Sequence, residues 1–263
     1  MSILMKKLLF LLVIFHIFFS CKGQSTEHKT FFDNGQVKEI YYLDKNGQLT
    51  GETNIYFDNG KLSTVSTYKS GKKIGESKWF WKNGKLRGSV SFNENEKMSG
   101  EWKEYHENGQ LANNGDYENG EKTGSWHHYF DNGQLSSLGV MKNGNSIGQW
   151  KLYHKDGTSR GMQQYDEEGR QTGEWKEYYE NGELESIGRY EAGMKIGEWN
   201  YYYQNGKLEH LEIYNKYKRY NGEWKFYNEQ GTLIKTEIYT DGKETGDWKF
   251  YDERGHLIKI EKH

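Results

Sequence analysis

The stretch Gly100-Glu101-Trp102-Lys103-Glu104-Tyr105-His106-Glu107-Asn108-Gly109-Gln110-Leu111 decides the fold. Trp102 to His106 alternates and is rich in aromatic residues, which is the pattern of a strand. Asn108-Gly109 follows, a short-range hairpin signal, because both residues accept the positive φ of a type I′ turn. Leu111 to Tyr117 reads as the returning strand, and Glu118-Asn119-Gly120 as the next turn. The phrase recurs. Its leading glycine falls at Gly51, Gly75, Gly100, Gly124, Gly148, Gly173, Gly197, Gly222 and Gly246, at intervals of 24 or 25 residues. A fixed period of that size denotes an array of small equivalent units. The expected fold is therefore all-β: an elongated, twisted antiparallel meander of tandem hairpins, each packed on its neighbours.

The composition agrees. Hydrophobic residues make up only 33% of the 263 residues and mean hydropathy is −1.07, too polar for a thick core. Aromatic residues at 16% allow a thin fold to bury enough area with few side chains. Proline is absent, as a long hydrogen-bonded ladder requires. Formal net charge is −2, with 36 basic and 38 acidic residues, so there is no cationic surplus to hold nucleic acid.

A two-residue Asn108-Gly109 loop sets a register in which His106 faces Leu111, Tyr105 faces Ala112 and Trp102 faces Gly115. Trp102, Leu111, Gly115 and Tyr117 then share one face. The same arithmetic sets Trp126 against Gly139 and Trp175 against Gly188, with an indole covering a bare backbone, while Glu212, Glu237 and Glu261 take the glycine's place in three other units. The structural aromatic row is Trp102, Trp126, Trp150, Trp175, Trp199, Trp224 and Trp248. Thr53 and Ser77 stand in its first two places, as in a cap. Phe31 to Val37 reads as half a unit.

The N-terminus has a different character. Lys6-Lys7 precedes the apolar run Leu8 to Phe19, which Ser20-Cys21 closes. This resembles a bacterial lipoprotein signal, with residues 1–20 as a signal helix and Cys21 as the lipidated residue. Cys21 is the single cysteine, so no disulfide competes for it. Residues 21–30 read as a polar tether and 31–263 as the array. The implied location is exported and membrane-anchored, on the periplasmic or cell-surface side.

The elements Tyr117, Gly120, Gly124, Trp126, Tyr129, Asn132, Gly133 and Leu135, repeated as Tyr190 to Leu208, resemble the MORN repeat, and more closely its bacterial variants. The resemblance implies a β-hairpin array used for protein or lipid contacts. Some bacterial members are known as YwqK-type antitoxins. Export argues against a cytoplasmic toxin and leaves an envelope immunity role as one alternative.

No reading of the residues supports an enzyme, a cofactor or a metal. Glu101, Glu174, Glu198 and Glu223 recur with the repeat and have Lys103, Lys176 and Lys225 two residues on, the pattern of a solvated charge row. His106 and His154 occupy equivalent places two units apart, about 19 Å, which is beyond one ligand sphere. His127 and His128 are neighbours on a strand and point to opposite faces. The row Phe57, Trp81, His106, Phe130, His154, Tyr179 and Tyr203 is expected to pack across strands near the hairpin tips. One segment departs from the pattern: Tyr217, Lys218, Arg219 and Tyr220 replace a glycine turn and form the candidate interaction site. The expected activity is non-enzymatic binding of an envelope protein. Lipid headgroups or wall glycan are the alternative partners.

Overall fold

The computed structural model describes residues 25–263. The signal segment and Cys21 lie outside the described residues. The described chain forms one 21-stranded sheet in which each strand pairs antiparallel with the next. The one interruption is that Lys243–Glu244 and Asp247–Tyr251 share Leu233–Thr240 as partner. The first strand, Thr26–Phe31, and the last, Leu257–Lys262, each have one partner, so the sheet is open. Residues 26–30, read above as tether, belong to the first strand, and the expected half unit is a whole hairpin.

The turn within a unit differs from the type I′ turn expected at Asn108-Gly109. Within a unit, His106 accepts from the Gly109 amide at 2.8 Å, and only Gly109 has positive φ. The turn is thus a four-residue turn closed by one left-handed glycine, flanked by a bulge. Tyr105 pairs with Leu111, and Ala112 is the extra residue. The bulge absorbs the one-residue error, so Trp102 pairs with Gly115 as expected. The type I′ turns lie between units. Asn119-Gly120, Asn143-Gly144 and Ala192-Gly193 have both φ values positive. This explains the two intervals. Units followed after 24 residues close on a two-residue turn, and those followed after 25 close on a longer loop, as at Asn93 to Lys97.

The core lies on the Trp face. Trp126 is 1% exposed and Trp150, Trp175, Trp199, Trp224 and Trp248 are all buried. The indoles alternate with tyrosines: Trp175 to Tyr190 is 4.7 Å between centroids and Tyr190 to Trp199 is 4.9 Å.

Indoles of the row cover the preceding hairpin, whereas Trp79, outside the row, covers Gly88 of its own hairpin. Between Asn114↔His127 and Asp116↔Thr123, the three residues Gly124, Ser125 and Trp126 oppose Gly115 alone. The left-handed φ of +67° at Gly124 makes that bulge possible. It lays Trp126 over Gly115, where an added Cβ would come within 2.6 Å of three indole atoms. Trp150 covers Gly139 and Trp199 covers Gly188 in the same way. Trp199 Nε1 then donates to Arg189 O at 3.2 Å, and Trp224 and Trp248 donate to Ile213 O and Ile238 O. The leading glycine and the tryptophan therefore form a lock between units.

Candidate interaction surface

Three surfaces remain to carry function: the tip edge, the back face opposite the indoles, and the departing loop.

The tip edge is a hydrogen-bond spine. Asn132 Oδ1 accepts from the Gln134 amide at 3.0 Å, while its Nδ2 donates to Lys155 O in the next tip at 2.8 Å. Asn59, Asn83, Asn181 and Asn205 donate forward likewise. The row of aromatics beside them does the same work. Trp81 Nε1 donates to Tyr105 O at 3.1 Å, and the hydroxyls of Tyr179 and Tyr203 donate to Tyr202 O and Tyr227 O at 2.7 and 2.8 Å. His106 and His154 direct Nε2 at Tyr129 O and Tyr178 O, so each holds a proton on Nε2. These rings are joints between units, as the structural reading of that row expected. The Asn132→Asp variant keeps the loop cap and loses the forward donor, and should cost about 1 kcal/mol. Asn132→Ala loses both bonds, and about 2 kcal/mol is expected in chemical denaturation.

The opposite edge has its own spine. The amides of Gly71, Gly120, Gly193 and Gly242 each donate at 2.8 Å to a carbonyl of the previous inter-unit turn, at Leu49, Met98, Gln171 and Tyr220.

On the back face the expected charge row is present. Lys103 meets Glu101 at 2.8 Å, Lys176 meets Glu174 at 2.5 Å and Lys225 meets Glu223 at 3.5 Å. These groups are solvated, and exposed pairs of this kind contribute little to stability. Among the described residues there is no cluster of three metal-ligating side chains, and His127 and His128 belong to different faces.

Sequence reasoning did not find one polar cluster on the Trp face. Where earlier units carry Gly115, Gly139 or Gly188, the unit starting at Gly197 carries Glu212. Lys195 lies over the rings of Trp199, Tyr201 and Tyr214, 4.7 to 5.6 Å from their centroids, and 3.2 Å from the Glu212 carboxylate. Tyr201 and Tyr214 both donate to that carboxylate. Burial, and then Glu212 itself, holds both phenols well above their ordinary range. Tyr201 stacks on His210 at 4.2 Å. The cluster replaces the glycine seat by an internally neutralised carboxylate.

Burial pushes His128 and His210 below the usual imidazole value of 6.5. Each is therefore held neutral in the fold and takes a proton more readily when unfolded. The unfolded chain binds more protons between the folded and unfolded pKa values, so stability falls as pH drops below about 6.5. Denaturation midpoints measured from pH 7.5 to 5 should decline, and the His128→Asn/His210→Asn double variant should flatten the decline.

The departing loop is a member of the longer turn class. Asn215 Oδ1 caps it by accepting from the Tyr217 amide at 2.9 Å, and Lys218 takes the left-handed place with φ 65°. Gly47 and Gly169 hold that place in two equivalent loops. The four singled-out residues divide. Tyr220 joins the aromatic ladder, 4.7 Å from Trp224 and 5.5 Å from Tyr239. Arg219 packs its stem against Gly242. Tyr217 is 66% exposed, with the Lys216 ammonium 5.1 Å from its ring centroid.

The family described as MORN repeat variant matches residues 49–70, 73–94, 98–119, 171–192, 195–216 and 220–241, together half of the chain. No curated protein sequence matches it. Similar solved structures include the Tc holotoxin pore of Photorhabdus luminescens, at 12% identity and TM-score 0.22 over 86% of this chain and 13% of that one. Another is a TcdB2–TccC3 assembly without its hypervariable C-terminal region, at 12% identity and TM-score 0.22 over 91% of this chain and 15% of that one. The chain thus spans less than a sixth of the length of either, and scores this low support no argument.

Proposed function

The chain belongs to the MORN repeat variant family, and from that premise we propose that it is a non-enzymatic scaffold that binds another protein at the bacterial envelope. The signal-like residues 1–20 and a lipid on Cys21 would hold it there. The observation that carries the reading is the loop Asn215 to Tyr220. Its backbone is fixed by the Asn215 cap, yet Tyr217 contributes almost nothing to the fold and offers a preordered aromatic surface beside Lys216 and Lys218. Rigid, exposed Tyr with adjacent cations is the chemistry of binding hot spots. Glycan stacking is disfavoured because the indoles are already closed over by their neighbours.

Crosslinking affinity purification from intact cells tests this. The Lys218→Glu/Arg219→Glu chain should lose most of the protein that the unaltered chain captures, with no change in far-UV circular dichroism. Equal capture by both chains removes the loop from the account. Capture of anionic vesicles without any protein would favour the lipid alternative.

A further inference from the structure

On the back face the acid–lysine pair closes in four of the nine units, and the units at Gly148 and Gly197 each carry one charge with no partner of its own. Glu76, Glu101, Glu174 and Glu223 each meet the lysine two residues on, and Glu52 accepts from the Asn54 side-chain Nδ2 at 2.8 Å. Glu198 has Asn200 in the lysine's place, and no cation among the described residues lies within ion-pairing distance of it. Lys151 shows the opposite gap. Gln149 stands where its carboxylate would be, and no acid pairs with it.

Both gaps open onto grooves. Lys151 lines one of about 370 Å³ together with Tyr153, Met162 and Tyr178. Glu198 lines one of about 490 Å³ together with Ile187, Ile196 and Arg189. Met162 and Ile187 both lie across from Lys176, whose strand, Gly173–Tyr178, separates the two grooves. Met162 is an exposed apolar side chain. Lys151 and Glu198 stand four strands apart, about 19 Å at the usual strand spacing.

We propose that this face docks an extended segment of a partner protein that runs across the strands. The segment carries a carboxylate over Lys151, a lysine or arginine over Glu198, and apolar side chains between them. At about 3.3 Å per extended residue the two charges lie about six residues apart. The unmatched charges supply direction, and the grooves at Met162 and Ile187 supply apolar contact. The proposal rests on the scaffold reading but uses a different surface from the loop at Tyr217.

The probe is a fluorescent peptide, Glu-Ser-Val-Ser-Val-Ser-Lys with blocked ends, followed by anisotropy; alternation sets its two valines on the same side as the two charges. A second peptide has norleucine for the lysine. Gln149→Glu gives Lys151 an internal acid and Asn200→Lys gives Glu198 an internal base, so both variants restore the normal repeat and should fold. Each is expected to weaken binding about 3- to 5-fold, and the two together about 10-fold, with affinity falling as salt rises. The norleucine peptide should bind the unaltered chain as weakly as the original peptide binds Asn200→Lys. Absence of binding to the unaltered chain, or equal binding by the double variant, overturns the proposal. A cellular partner that is lost with Lys218→Glu/Arg219→Glu but retained by the double variant would sink this surface and leave the scaffold reading intact.

Discussion

Gly188→Ala is expected to destabilise the array by about 2–3 kcal/mol, although it adds a single methyl group to an exposed sheet. The cause is the seat under Trp199. A Cβ on Gly188 would lie within 2.5 Å of three atoms of that indole. The fused ring has no slack: Tyr190 packs on it at 4.9 Å and its Nε1 is tied to Arg189 O. Seating the methyl group requires the indole to lift, which breaks that hydrogen bond and opens the joint between two hairpins. Gly182→Ala is a useful contrast. It sits at a tip with φ +85° and nothing within 4 Å of its Cβ, so it should lose only the backbone term, about 1 kcal/mol. Urea denaturation of both proteins checks the difference.

Trp126→Ala should cost more, about 3–5 kcal/mol. Trp126 is 1% exposed, the Lys122 ammonium lies 4.2 Å from its ring centroid, and Tyr117 meets it edge-on at 5.6 Å. Removing it empties the seat at Gly115 and frees Lys122. Because each unit packs mainly on its neighbours, the loss is concentrated at one joint. The melt should therefore divide into two transitions, as the hairpins on either side lose their coupling. Calorimetry reads this directly. A single transition shifted as a whole would mean that the array is more cooperative than nearest-neighbour packing allows.

These two residues also show what the sequence could convey. The spacing of the glycines set the architecture, and even the 24- and 25-residue intervals had a physical meaning, since one extra residue separates the two turn types. The type of the turn at Asn108-Gly109 was not legible. Asn-Gly is equally suited to a type I′ turn and to a four-residue turn that ends on a left-handed glycine, and only the loop hydrogen bonds tell them apart. The pairing Trp102↔Gly115 was legible because register arithmetic is local. The contact Trp126 over Gly115 was not legible. It depends on a bulge in which three residues oppose one, and a two-residue period has no place for that. The Lys195–Glu212 cluster was hidden for a similar reason, since Lys195 pairs with Tyr190 on the preceding strand, beyond the bulge, yet reaches Glu212 on the following one. Of the four loop residues, Lys218 is half-buried, while Tyr217, Arg219 and Tyr220 are exposed, the last two also touching the next unit.

The central structural claim is that the tryptophans of the repeated row seat in the hairpin before their own, and a double-mutant cycle at Gly188 tests it most directly. Gly188→Ala is combined in turn with Trp199→Ala and with Trp175→Ala, and unfolding free energies are measured for all the variants. With Trp199 removed, the added methyl group should cost almost nothing, giving a coupling of about 2 kcal/mol, whereas the combination with Trp175 should add within about 0.5 kcal/mol. Coupling to Trp175 with additivity at Trp199 would contradict the account, because the indole would then close its own hairpin and leave nothing to bind one unit to the next.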